Sequence, residues 1–438
     1  MDFEHRQAGR AFCGLLLSLV LALLPAKGTA EDPAEEVSRW ELEQADAATG
    51  AIAADETLNA RAKLDRVFKS YATMGACVAV IHEGEIVFTH TYGTRMRGRG
   101  KESDEPVTED TLFQVGSISK MVAGIGLLCL VEDGMAELDS DLSDLFGFPV
   151  RNPAYPDRPI TLRQLMSHTA GLRDSGHYQM ALDGNARPLS SLFRGNAARF
   201  TFLDHFRSGA NVQYSNFGGG VAGSLIEALS GQTVDQYLTR RVFLPLGITA
   251  GYQASLLPRD MKLANMYAMP SRRLMKEPGR DPAHIISPAP EYDYFLTAGK
   301  LLISSPDLAK ILIMLCDGGV YGNTRILKAS TAWEMRRPQN FIGSVVCASN
   351  RGLFMNVIVD NQVEGRVMYG HGGKAYGMLC AAYFDPADRT GVVMLTNGCN
   401  NRKVYNGVGM LGRAVMRICY GELLDGKASL RDPWLVEE

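Results

Sequence analysis

A chain of 438 residues with 46% hydrophobic side chains can build one large core or two ordinary ones, which excludes a disordered or fibrous protein. Its 45 Lys+Arg against 48 Asp+Glu leave a formal charge of -3 with no polybasic run, so nucleic acid is not an expected partner. Of the eight Cys, Cys13 lies in the N-terminal apolar run, and the rest form neither an even framework nor a C-x-x-C pair, so no disulfide scaffold is expected.

Arg6 and Arg10 precede "AFCGLLLSLVLALLPA" and then "KGTA", an order that reads as a secretory signal over residues 1–30 with Ala30 last before cleavage. The run is short of the roughly 20 apolar residues that span a bilayer, so no stable transmembrane span is expected. The protein is thus expected to be exported, periplasmic or secreted, with an uncleaved membrane anchor as the alternative. Residues 31–56 are acidic and Ala-rich and read as a tether, partly helical. The folded domain is expected over 57–438. "LNARAKLDRVFKSYATM" suits an amphipathic helix with Leu58, Leu64, Val67 and Phe68 inward. "ACVAVIH", "EG" and "EIVFTHTYG" read as a hairpin turning at Gly84, opening the chain with a sheet edge.

After Ser117 the apolar residues Ile118, Met121, Val122, Ile125, Leu128 and Cys129 recur at three and four, with Leu127, Leu130 and Val131 on other faces, which predicts a buried helix stopped near Gly134. Short helical patterns then alternate with polar loops, the longest being "RDSGHYQMALDGNARPLS" and "SRRLMKEPGRDPAHIISPAPEY". "GLFMNVIVD", "RVMYGHGG", "YGMLCAAYFD" and "TGVVMLTNG" are β-rich, and "VYNGVGMLGRAVMRICY" reads as a closing helix. Strands at both ends with helices between predict an α+β fold. In it, an antiparallel sheet from the N- and C-terminal segments (57–105 and 331–438) is flanked by helices and receives a mostly helical insertion over 106–330.

Three stretches carry chemistry. In "FQVGSISKMVAG" a helix opening near Gly116 would put Ser117 and Lys120 at i and i+3, sharing one face, so that an amine can reach a hydroxyl. S-x-x-K alone is weak, since it should arise about once or twice by chance, and a Ser N-cap beside a solvated Lys would look the same. "VQYSNFGGG" offers Tyr214 and Asn216, and "YGHGGKAYGM" places His371 on a strand whose Gly372 and Gly373 allow close backbone approach. Together these parts suffice for acyl transfer.

With Ser117–Lys120 as S-x-x-K, Tyr214–Asn216 as Y-x-N and His371-Gly372-Gly373 as a third strand motif, the chain resembles the penicillin-recognising serine hydrolases. That group contains class C β-lactamases, D-Ala-D-Ala carboxypeptidases, D-aminopeptidases and related esterases, and the resemblance runs from about residue 60 to 420. It implies a β-lactamase/transpeptidase-like fold with Ser117 as nucleophile, Lys120 as its activator and Tyr214 as proton relay. Asn216 would hold a substrate amide carbonyl, Ser117 and Lys374 would supply oxyanion-hole N–H groups, and His371 and Gly373 would line the substrate strand. No metal or organic cofactor is implied, and the expected partner is a small-molecule or short-peptide substrate: an amide, a D-amino-acid peptide or an ester. A true β-lactamase and a non-catalytic β-lactam or cell-wall-fragment binding protein are the alternatives. His371 stands where β-lactamases typically carry Lys, and an imidazole of ordinary pKa, about 6.5, would make the positive charge there conditional on pH. His168 in "MSHTAGL" is expected to pack or hydrogen-bond rather than react.

Overall fold

The computed structural model describes residues 35–424 except 37, 99–102, 281–287, 340–350, 360–361, 401–402 and 406–407. The expected signal, residues 1–30, lies outside them, and among the described residues no helix is long and apolar enough to cross a membrane.

Seven antiparallel strands form the main sheet: β1 (Gly75–His82), β2 (Glu85–Met96), β3 (Glu105–Pro106), β4 (Asn356–Val359), β5 (Val367–Ala375), β6 (Met378–Asp385) and β7 (Thr390–Thr396). Their order is β4-β5-β6-β7-β1-β2-β3, so the two ends of the chain meet where β7 pairs with β1, Val393 opposite Ala79. The opening hairpin is therefore interior on one side, while on the other the two-residue β3 pairs with β2 only at Thr94 and Met96, so most of β2 is a sheet edge among the described residues, as the sequence suggests.

The period of two divides the side chains between two cores. Cys77, Ala79 and Ile81 face one and Ala76, Val78 and Val80 the other, and β6 repeats the alternation with Cys380 and Ala382 against Leu379 and Ala381. Helices α1 (Arg39–Ala53), α2 (Ala60–Ser70), α3 (Ile118–Glu132), α4 (Asn216–Ser230), α5 (Ser305–Cys316) and α6 (Met410–Glu422) are the longest. α2 and α6 belong to the core on the Ala76 face, where Leu64, Val67 and Phe68 are buried as the spacing predicts, each burial worth about 1.5–3 kcal/mol. α3, α4 and α5 lie in the core on the Cys77 face, with α5 against β7 and β1.

Two expectations change. Within the stretch read as a tether, α1 is capped by Ser38 and packs on α6, fastened by Asp46 to Arg413 at 3.1 Å and Arg417 at 2.9 Å. The closing helix starts only at Met410, because Lys403 and Val404 pair instead with Glu35 and Glu36, and Tyr405 with Val408. Six Cys are buried free thiols, and burial pushes Cys77, Cys129, Cys316, Cys380 and Cys419 up to about 12, which makes them unreactive packing groups.

Candidate active site

α3 is apolar on every face and buried from Ile118 to Leu130, so its N-terminus is a fixed point in the interior. Gly116 precedes it in the left-handed region at φ 54, where a side chain would be strained, and a Cβ there would lie 3.0 Å from the Lys374 nitrogen. From the other side, a Cβ on Gly373 would stand 1.9 Å from the Val115 oxygen and 3.3 Å from the Ser117 nitrogen. These bare backbones let β5 close against the turn, bringing the N–H groups of Ser117 and Lys374 to one end of the cleft, the placement an oxyanion hole requires.

Lys120 is wholly buried and donates from Nζ to Ser117 Oγ at 2.9 Å, to Asn216 Oδ1 at 2.8 Å and to the Ala298 carbonyl at 2.6 Å. Tyr214 Oη donates to Ser117 Oγ at 2.7 Å. A carbonyl and an amide oxygen can only accept, so they hold two Nζ protons whether Lys120 is an ammonium or an amine. The third position faces Ser117, as an N–H in the ammonium and as a lone pair in the amine. The geometry thus confines the exchangeable position of Lys120 Nζ to the Ser117 side, with Tyr214 touching the same oxygen.

Space for the lysine comes from α4. A Cβ on Gly219 would meet Lys120 Cε at 2.4 Å, one on Gly220 would meet the Tyr294 oxygen at 1.7 Å, and one on Gly223 would meet Thr297 Oγ1 at 2.7 Å. Through this gap the 294–298 segment approaches α4, where Thr297 Oγ1 donates to the Gly219 carbonyl at 2.6 Å and accepts from Gly223 N at 3.0 Å. The pairing of Phe113–Gln114 with Leu302–Ile303 holds it from the far side, so the Ala298 carbonyl reaches Lys120.

Behind Tyr214 lies His168, 4.5 Å between ring centroids, with its own φ at 57. Its carbonyl accepts from Gln213 N at 2.7 Å and its Nδ1 from Ser215 N at 3.4 Å, which positions the Tyr214 turn, in line with a packing role. Burial, with Arg351, Lys120 and His371 nearby, holds its pKa well below the ordinary imidazole value. Ser119 is likewise structural: its buried Oγ accepts from Leu301 N at 3.0 Å.

His371 departs from expectation. It is 4% exposed, and burial first, then the charges of Arg351 and Lys120, push its pKa down to about 3. The ring is therefore neutral across the physiological range, and the conditional charge anticipated there does not arise. Its Nδ1 lies against the Gly372 carbonyl, which can only accept, so Nδ1 carries the hydrogen and Nε2 offers a lone pair. Fixed positive charge comes instead from Arg351, whose guanidinium stands 5.4 Å from the Tyr214 ring centre with no carboxylate partner and no acceptor for Nε among the described residues.

Ser117, Lys120, Tyr214, Asn216, Gly373 and Lys374 thus converge, and His371 adjoins them. Arg351, Ala298 and Asp174, which accepts from Asn216 Nδ2 at 3.0 Å, were not anticipated. Asp174 lay in the long loop after "TAGL", which contains a helix at Gly176–Leu182. A polar residue just before that helix was the only available signal.

Residues 56–407 match the family described as Beta-lactamase. The chain is 28% identical over 353 residues to penicillin-binding protein 4 of Amycolatopsis lactamdurans, covering 77% of this chain and 84% of that protein. It is 27% identical over 328 residues to lovastatin esterase of Penicillium rubens, covering 66% and 76%. Its fold is shared with D-amino acid amidase from Ochrobactrum anthropi SV3, solved with L-phenylalanine amide, at TM-score 0.60 and 20% identity over 88% of this chain and 100% of that one. A family match across most of the chain, on a fold whose buried helix presents Ser117 to Lys120 and Tyr214, means that this protein belongs to the β-lactamase family of serine hydrolases.

Proposed function

We propose that the protein cleaves amides, D-amino-acid peptides or esters through an acyl-enzyme on Ser117. The observation that carries this reading is the placement of Ser117 Oγ between Lys120 Nζ at 2.9 Å and Tyr214 Oη at 2.7 Å. Ser117 loses its proton to this pair as Oγ bonds to the substrate's carbonyl carbon, and the developing oxyanion takes hydrogen bonds from Ser117 N and Lys374 N. The same pair returns the proton to the leaving group and then activates water. Asn216 keeps one Nδ2 hydrogen for a substrate carbonyl after serving Asp174.

Arg351 would take a carboxylate at the substrate's far end, because a guanidinium beside the cleft with no carboxylate partner among the described residues is completed by an anion. The esterase and penicillin-binding relatives support an ester or peptide-like acyl donor without separating them. Export rests on the apolar run and small residues that end at Ala30, and N-terminal sequencing of the mature protein should begin near Glu31.

The test is intact-mass analysis after exposure to activated esters, D-Ala-D-Ala peptides, D-amino-acid amides and β-lactams, followed by peptide mapping. Acyl adducts on Ser117 from the first three, turning over with time, are expected. A stable adduct formed by β-lactams alone would favour the binding-protein alternative, and rapid β-lactam turnover the β-lactamase. No adduct from any member of the panel would refute acyl transfer.

A further inference from the structure

Asp174 belongs to no catalytic motif, yet its carboxylate meets the first turn of α4 at three points. Oδ1 accepts from Phe217 N at 2.8 Å and from Ser215 Oγ at 3.0 Å, and Oδ2 accepts from Asn216 Nδ2 at 3.0 Å. The contact to Phe217 N satisfies one of the N–H groups a helix start leaves unpaired, where negative charge is favoured. The contact to Asn216 does something different. A carboxylate can only accept, which turns Nδ2 of the Asn216 amide to Asp174 and leaves Oδ1 to accept from Lys120 Nζ at 2.8 Å.

We infer that Asp174 is a positioning residue for catalysis, holding the Asn216 amide with its oxygen on Lys120 and so aiming the exchangeable position of Nζ at Ser117. The inference rests on the acyl-enzyme reading of the site. The line runs from Asp174 through Asn216 to Lys120 and Ser117, and each junction is a hydrogen bond of 2.8–3.0 Å. If the amide turned over, an NH2 group, which can only donate, would face Nζ. Lys120 would then lose one of its two fixed acceptors, and its exchangeable position would no longer be confined to the Ser117 side.

Asp174→Asn is the informative substitution, because it keeps shape and removes charge while replacing one acceptor oxygen with a donor. The new amide can satisfy Phe217 N or Asn216 Nδ2 with oxygen but not both. The readout is the second-order rate at which a fluorophosphonate labels Ser117, followed by intact mass, which requires no knowledge of the natural substrate. It is measured in wild type, Asp174→Asn, Asn216→Ala and the double variant, with urea midpoints for all four. Asp174→Asn should slow labelling about 10- to 10²-fold, the scale set by small misplacement of a reacting group, but by less than about twofold in the Asn216→Ala background. The midpoint should fall in both backgrounds, since the negative charge at the start of α4 is lost in both. Equal slowing in the two backgrounds, or no slowing in either, would overturn the role of Asp174 and leave the proposed function standing. Failure of the wild type to label would overturn both.

Discussion

Three consecutive glycines in α4 allow the Lys120 geometry to be tested by adding one methyl group at a time. At Gly219 a Cβ would lie 2.4, 2.7 and 2.9 Å from Cε, Cδ and Cγ of Lys120, whereas carbon atoms in contact sit about 3.5–4.0 Å apart. The lysine stem must therefore move by about 1 Å. Its Nζ is held by bonds of 2.6–2.9 Å, so a displacement of that size carries it out of reach of Ser117 Oγ or of its fixed acceptors. Misplacement by about 1 Å costs about 10²-fold in rate, and complete loss of base assistance about 10²- to 10⁴-fold. Gly219→Ala should thus lower kcat/KM on an activated ester at least about 10²-fold, equivalent to about 2.7 kcal/mol. Overpacking should reduce stability by about 1–3 kcal/mol. Gly218→Ala is the control, since its Cβ meets nothing nearer than 3.6 Å and Ala is the better helix former. Gly220→Ala, which drives a Cβ to 1.7 Å from the Tyr294 carbonyl, should be the least stable of the three because backbone cannot swing aside as a side chain can. The assay is ester hydrolysis beside a urea unfolding curve for each variant. A folded Gly219→Ala protein with wild-type kcat/KM would refute the claim that catalysis depends on where Lys120 is held.

Three further outcomes can be checked directly. Ser117→Ala should abolish fluorophosphonate labelling, whereas Ser119→Ala should retain it and lose about 1–3 kcal/mol of stability because Leu301 N is left unpaired, as a urea titration would show. For a matched substrate acid and methyl ester, KM should not change with pH between about 6 and 8, since His371 titrates near 3, and Arg351→Gln should raise KM for the acid alone by about ten- to a hundredfold; a pH-dependent KM for the acid in wild type would restore charge to His371. Burial pushes the Asp293 carboxyl from 3.8 up to about 6, with Lys300 opposing and Asp235 adding, so the folded state keeps this proton to higher pH than the unfolded chain and loses stability as pH rises from about 4 to about 6. Asp293→Asn should therefore gain on wild type by about 3 kcal/mol between pH 4 and 8 in urea unfolding, and parallel pH curves for the two proteins would refute this.

Legibility in the sequence followed the range of the interaction. β1 and β6 announce themselves because alternate residues serve opposite cores, and α3 because an unbroken apolar surface has nowhere to go but inside. α1 gave a weaker signal: only Leu42 and Thr49 are buried along it, and its attachment depends on Asp46 meeting two arginines more than 360 positions away. The polar stretch after Leu172 read as loop because its helix is only seven residues long, too short for a sustained period.

The site divides along the same line. Ser117 with Lys120, and Tyr214 with Asn216, are each close in sequence, so their side-chain chemistry can be read as short strings. What aims Lys120 Nζ at Ser117 is dispersed. One fixed acceptor is the Ala298 carbonyl, a backbone atom that every residue possesses and no residue type signals. The other is Asn216 Oδ1, whose orientation agrees with a hydrogen bond from Nδ2 to Asp174, 42 residues earlier. The charge state of His371 is dispersed as well. An imidazole beside two glycines reads as a titrating group until burial and the Arg351 and Lys120 cations are brought against it, after which it is a neutral acceptor. Residue types in a motif thus restrict the reactions available to a site, while the protonation states that select among them are imposed by atoms from segments lying outside every motif.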